Sequence, residues 1–164
     1  MIILGIDPGF AIVGWGVLCY DGVRFSTLAY GAIRTPAKTR VEDRLAQIDR
    51  DLSRIIDRYR PTQMAVEELF FNTNTTTAIT VAEARGVILL NARKHGLTIY
   101  EYTPLQVKQA VVGYGRAEKK QVIMMVTQLL NLPAPPKPDD TADALAIAIC
   151  HAHTGSSKLS MFQN

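Results

Sequence analysis

Over residues 40–59, apolar side chains return at Val41, Leu45, Ile48, Leu52, Ile55, Ile56 and Tyr59, with charged residues between them. That spacing of three and four positions makes one stripe along a helix, and Pro61 ends it. The first 34 residues carry a different rhythm. Apolar runs over 2–7, 12–20 and 23–34, the last two separated by Asp21-Gly22, predict three strands joined as an antiparallel meander. Residues 64–69 and 97–102 predict two further strands with a helix over 75–95 between them, an order that implies a parallel crossover. Thr103-Pro104 is an N-cap followed by proline at the first helical position, and it opens a short helix to about Val112. Helices over 117–130 and 141–153 flank a proline-rich connector at 133–138. The pattern predicts one α/β domain over residues 1–154, a five-stranded mixed sheet flanked by helices, followed by a flexible tail at 155–164.

Composition narrows the class. With 48% apolar and 20% charged residues among 164, the chain matches globular averages rather than a disordered or membrane protein. The apolar run at residues 1–6 has no positive leader and reaches Asp7 too soon for a signal peptide or a membrane span. The expectation is a cytoplasmic protein. Cys19 and Cys150 stand in apolar stretches without metal-ligand spacing and are expected in the core. The formal charge of +3 becomes a larger basic surplus elsewhere if several carboxylates gather at one site, which suits a polyanionic partner.

Such a gathering is indicated. Asp7 ends an apolar strand and precedes Pro8-Gly9, so a rigid element carries its carboxylate to a tight turn. Glu67 and Glu68 follow an apolar run, and strand alternation sends them to opposite faces, so only one can join Asp7. Alternation alone does not say which. Asp140 and Asp143 lie three apart at the start of the last helix and can share a face, with Asp139 as a rival. The competing explanation is a capping box, with Asp140 as N-cap and Asp143 at the third helical position. Four carboxylates from two strands and a helix would supply the oxygen ligands that two Mg²⁺ ions need for phosphodiester hydrolysis.

At this point a family resemblance becomes specific. Gly5-Ile6-Asp7-Pro8-Gly9, Gly14-Trp15-Gly16-Val17, Ala65-Val66-Glu67, Ala84-Arg85-Gly86-Val87, Val107-Lys108 with Gly113-Tyr114-Gly115, Glu118-Lys119-Lys120-Gln121-Val122 and the block from Asp140 to Ala146 occur in order. Together they resemble the RuvC family of Holliday junction resolvases over nearly the whole chain. The resemblance implies a ribonuclease H-like fold and a structure-selective endonuclease of homologous recombination and DNA repair. It makes Asp7, Glu67, Asp140 and Asp143 catalytic metal ligands, with two Mg²⁺ ions per site and Mn²⁺ as a substitute. Glu68 and Asp139 become neighbours.

The same resemblance assigns Phe70 to the junction centre, where an aromatic ring can stack on an unpaired base. It places Lys108 and Lys119 on phosphates near the cut, adds Lys120, and gives Arg85 a DNA contact. It also implies four-way junction DNA and the RuvA and RuvB branch-migration proteins as partners, with no membrane association. Residues 78–92 are apolar around more of the helix than one buried face requires. In the family this helix is the homodimer interface, and a two-fold dimer suits a junction that needs two matched cuts. His151 and His153, two apart on a helix, cannot share a face and are expected to be structural. Rival readings are a related nuclease with another nucleic acid substrate, a catalytically silent DNA-binding scaffold, and an actin-like ATPase fragment. The last also opens with Gly-Ile-Asp-x-Gly but needs a second domain around its nucleotide.

Overall fold

The computed structural model describes residues 1–69 and 75–161, with side chains over 1–69 and 76–155. Strands β1 (Ile2–Asp7), β2 (Ile12–Tyr20), β3 (Phe25–Arg34), β4 (Gln63–Glu67) and β5 (Thr98–Tyr102) form one sheet in the order β3-β2-β1-β4-β5. The first three strands pair antiparallel, whereas β4 lies parallel to both β1 and β5. Helix α1 (Val41–Tyr59) leads into β4, and α2 (Thr75–Lys94) makes the crossover from β4 to β5. Helices α3 (Pro104–Val112), α4 (Lys119–Leu129) and α5 (Asp139–Met161) complete the chain.

Strand alternation splits the core into two layers. Leu4, Ile6, Val13, Val17, Met64 and Val66 face α1 and α2, where Ile48, Leu52, Ile56, Ala84, Ile88 and Ala92 cover them. Ile3, Leu18 and Ala65 face the other way, toward Val107 and Val111 of α3, Val122 and Val126 of α4, and Leu145 and Ile149 of α5. Each large side chain buried in these layers contributes roughly 1.5–3 kcal/mol of transfer free energy.

One helix approaches the sheet unusually closely. On the α5 side, β1 and β2 present Gly5, Gly14 and Gly16, and Gly5 pairs with Gly16 while Asp7 pairs with Gly14. A β-carbon on Gly5 would overlap the Ala144 carbonyl oxygen, and one on Gly14 would overlap the Asp140 carbonyl oxygen. The α5 backbone therefore lies directly on the strands, and its first turns are held beside the end of β1.

Several boundaries differ from the sequence pattern. β4 ends at Glu67 rather than residue 69, although Glu68 N–H still donates to the Tyr102 carbonyl at 2.9 Å. α5 begins at Asp139 rather than residue 141 and runs to Met161, so its helical backbone extends past residue 153. Its start is set by Pro138, whose carbonyl accepts from Thr141 N–H at 2.9 Å, and Asp139 and Asp140 suit the positive end of the helix dipole. Cys150 is buried as expected, but Cys19, near the end of β2, is only half-buried. Thr103 caps α3 as predicted, and Gln106 reciprocates by accepting from Thr103 N–H at 2.9 Å. Among the described residues no helix is long and apolar enough to cross a membrane.

Candidate active site

Asp7 is the last residue of β1 and follows the parity of Ile3 and Gly5, so its side chain stands on the α5 face. Glu67 shares the parity of Ala65, which packs in the same layer. Glu68 instead lines a cleft with Arg85, Gly86 and Glu101 on the α2 side. The choice that alternation left open is settled by the burial of Met64 and Val66 against α1 and α2: Glu67 faces α5 and Glu68 does not.

The α5 acids are not a capping box. Asp139 is already helical, so Asp140 lies inside the first turn rather than at the N-cap. Asp143, one turn on, accepts a hydrogen bond at Oδ2 from Lys119 Nζ at 2.7 Å. A lysine in the first turn of α4 opposes the helix dipole, so the acidic site rather than the helix accounts for its position.

Glu67, Lys108, Lys119 and Asp143 are the polar lining of a cleft of about 240 Å³ with Val107, Val122 and Ile147 among its apolar walls, whereas Asp140 lines a second depression with Phe10, Ile12 and Thr80. Lys108 comes from the second turn of α3, and Gly113, with φ 95°, turns the chain toward α4. Lys120 is exposed and borders a neighbouring depression with Lys119, Met124, Pro135 and Asp139. Arg85 does not join the group: it pairs with Glu101 at 3.2 Å on the opposite face of the sheet. Phe70 lies outside the described residues. His151 and His153 are turned to different surroundings. The former bridges Tyr102 Oη at 2.6 Å and Gln63 Oε1 at 2.7 Å, and the latter packs edge-on to Phe25.

The electrostatics show that the carboxylates act on one another. Burial, then the charges of Asp143, Glu67 and Asp140, push the Asp7 carboxyl up to about 8 against the pull of Lys119. Glu67 is raised by burial and by Asp143, with Lys119 and Lys108 opposing. Asp143 is raised by burial despite its bond to Lys119. Burial works to lower the Lys119 ammonium, but the Asp143 hydrogen bond and the charges of Asp143, Asp139 and Asp7 outweigh it, and its value rises. Crowded carboxyl oxygens of this kind fit a hard divalent cation, which would relieve their repulsion. Among the described residues no three acidic, histidine or cysteine side chains already stand around one common point.

Sequence reasoning missed two supports of this site. The alternating glycines of β1 and β2 have a structural purpose beyond their place in motifs, legible only as small residues recurring on one strand face. Arg44, one of the charged residues between the apolar positions of α1, lies on the buried stripe one turn before Ile48.

A mixed sheet carrying acidic residues at the ends of β1 and β4 and on the helix laid across them, opposite two lysines, defines a ribonuclease H-like, metal-dependent nuclease. Residues 3–151 match the model of the family described as crossover junction endodeoxyribonuclease RuvC, and the chain belongs to that family. It is 62% identical over 156 residues to the crossover junction endodeoxyribonuclease RuvC of Alkaliphilus oremlandii, covering 95% of each chain. Its identity to the Heliobacterium modesticaldum protein of the same description is 64% over 154 residues, 94% of this chain and 95% of that one. Thermus thermophilus RuvC, solved in complex with a Holliday junction substrate, superposes with a TM-score of 0.92 at 36% identity over 96% of both chains.

Proposed function

We propose that this chain resolves Holliday junctions in recombination and repair by paired, symmetric hydrolysis of phosphodiester bonds. The observation that carries the reading is the placing of Asp7, Glu67 and the α5 acids on one sheet face opposite Lys108 and Lys119. The relative solved with a Holliday junction substrate supports the choice of nucleic acid. Asp7, Glu67, Asp140 and Asp143 would hold two Mg²⁺ ions, with Mn²⁺ as a substitute, and these would activate water and neutralise charge on the leaving oxygen. The protein's own groups do the rest. Lys119 and Lys108 point cations at the phosphoryl oxygens, where negative charge grows during hydrolysis, and the apolar wall of Val107, Val122 and Ile147 limits the water that would screen them. Lys120 and Arg85 would add DNA contacts further out, and Phe70 a stacking surface.

Two matched cuts require two copies. On the face of α2 away from the sheet, Ile79, Ala82, Gly86 and Leu90 form an exposed apolar stripe, with Ile79 70% and Leu90 56% exposed. A two-fold homodimer through this stripe would cover it and present two sites to one junction. By kinship RuvA and RuvB are the partners, in the cytoplasm.

The test is incubation of labelled four-way junction and linear duplex with the protein in Mg²⁺ or EDTA. Paired nicks confined to the junction and abolished by EDTA are expected. Equal cutting of linear duplex would replace this reading with a nuclease of another substrate.

A further inference from the structure

Arg44 is 8% exposed and stands in line with Ile48, Leu52 and Ile56 on the inner face of α1. Among the described residues no carboxylate lies within ion-pair distance of it. Taking a guanidinium out of water without a counter-charge is costly, and a core that needed only packing would be served better by an apolar side chain. What Arg44 holds explains its presence. Its Nε donates to Thr35 Oγ1 at 2.8 Å, and the Thr35 hydroxyl donates in turn to the Phe10 carbonyl at 2.7 Å. Thr35 N–H donates to the Ala11 carbonyl at 3.0 Å, and the Arg44 guanidinium carbon lies 3.8 Å from the centre of the Phe10 ring.

All of these contacts end on Phe10 and Ala11, in the turn that leaves Asp7. That turn contains Gly9, where a β-carbon would overlap the Ile12 carbonyl oxygen, so the position must remain glycine. Glycine gives the turn no stiffness of its own. We propose that Arg44 and Thr35 are positioning residues for Asp7, clamping the β1–β2 turn from the α1 side so that the carboxylate is aimed at the α5 acids. The clamp approaches from the α1 side of the sheet, opposite the cleft that Glu67, Lys108, Lys119 and Asp143 line. The inference rests on reading Asp7 as a metal ligand in a junction nuclease.

The test compares Arg44→Met, Thr35→Val, the double variant and Thr35→Ser in four measurements. These are single-turnover junction cleavage across a Mg²⁺ titration, junction affinity in Ca²⁺, amide hydrogen exchange over residues 9–11 without metal, and thermal melting. Both single variants are expected to exchange faster at the turn and to need more Mg²⁺. Their cleavage rates should fall about 10-fold, less than the roughly 100-fold that a 1 Å misplacement of a catalytic group can cost. Junction affinity should not change. The double variant should resemble each single one, because both break one chain of contacts, and Thr35→Ser, which keeps the hydroxyl, should restore wild-type behaviour. If Arg44→Met does not fold, Thr35→Val, nearly isosteric, decides the matter. A folded Thr35→Val with unchanged exchange, Mg²⁺ requirement and rate would overturn the clamp, as would an affinity loss equal to the rate loss. A wild-type protein that cuts no junction would overturn the junction-nuclease reading instead, and the exchange measurement would still decide the clamp.

Discussion

Lys119 Nζ lies 2.7 Å from Asp143 Oδ2 and joins the first residue of α4 to the second turn of α5. The lysine side chain is 54% exposed, and an ion pair so open to water contributes only about 0–1 kcal/mol to stability. Its value is in placing a cation among the mutually repelling carboxylates of β1, β4 and α5.

Replacement of Lys119 or Lys108 by Gln should therefore act on the chemical step. Single-turnover cleavage is expected to fall about 10-fold or more, a barrier increase of roughly 1.4 kcal/mol, with a much smaller loss of junction affinity. The measurement is made at saturating protein. Full recovery of the rate there would make both lysines binding residues only.

On the proposed assignment, Asp7→Asn removes one metal-ligand charge and no phosphate contact. Cleavage in Mg²⁺ should be abolished while junction binding stays within a few-fold of wild type, measured by gel shift in Ca²⁺. Near-normal cutting would remove Asp7 from the metal set.

The raised Asp7 carboxyl makes stability depend on pH in the metal-free protein. With a folded value of about 8 against 3.8 for the unfolded chain, the folded state holds a proton that the unfolded state releases. Stability from this group is therefore present at low pH and lost as pH rises from about 4 toward 8. Asp7→Asn should melt a few degrees above wild type in EDTA at pH 8, with the gap closing near pH 4. The same proton must leave before a cation binds, so the Mg²⁺ requirement for cleavage should increase as pH falls below about 8.

Gly5→Ala tests the contact between β1 and α5. A methyl group there meets the Ala144 backbone, which cannot rotate aside, and overpacking of this kind costs about 1–3 kcal/mol. Urea denaturation should show a lower midpoint, and cleavage should fall as α5 moves outward with Asp140 and Asp143. An unchanged midpoint would mean that the helix shifts freely.

The exposed stripe of α2 predicts a dimer at micromolar concentration. Leu90→Glu, at a position 56% exposed in the single chain, should leave the fold intact and produce monomers in sedimentation, with loss of paired cutting. Wild-type monomers would show that the stripe has another use.

The sheet and the long amphipathic helix were legible in the sequence because their signals are periodic. Ile48, Leu52 and Ile56 are buried as the α1 stripe requires, and β1 and β2 keep their expected bounds. What was not legible depends on pairs of elements distant in the chain. Glu67 and Glu68 could not be told apart until the helices covering Met64 and Val66 were known. The capping explanation for Asp140 was sound local chemistry, and it failed because Pro138 starts the helix earlier. Nothing in the sequence of α1 announces that Arg44 meets Thr35 and Phe10 on the inner face of the helix.

The central position of β4 ties two kinds of accuracy together. β1 and β5 hold this strand from both sides, so its register has two independent readers. A one-residue slip would bring Glu68 to the carboxylate cluster and keep the charge count intact. The same slip would turn Met64 and Val66 toward α5 in place of Ala65, crowding a layer where that helix already rests on strand backbone. The misassembled chain would thus lose its final helix before it could present a plausible but misaimed carboxylate. Proofreading of the fold and proofreading of the active site become one steric event.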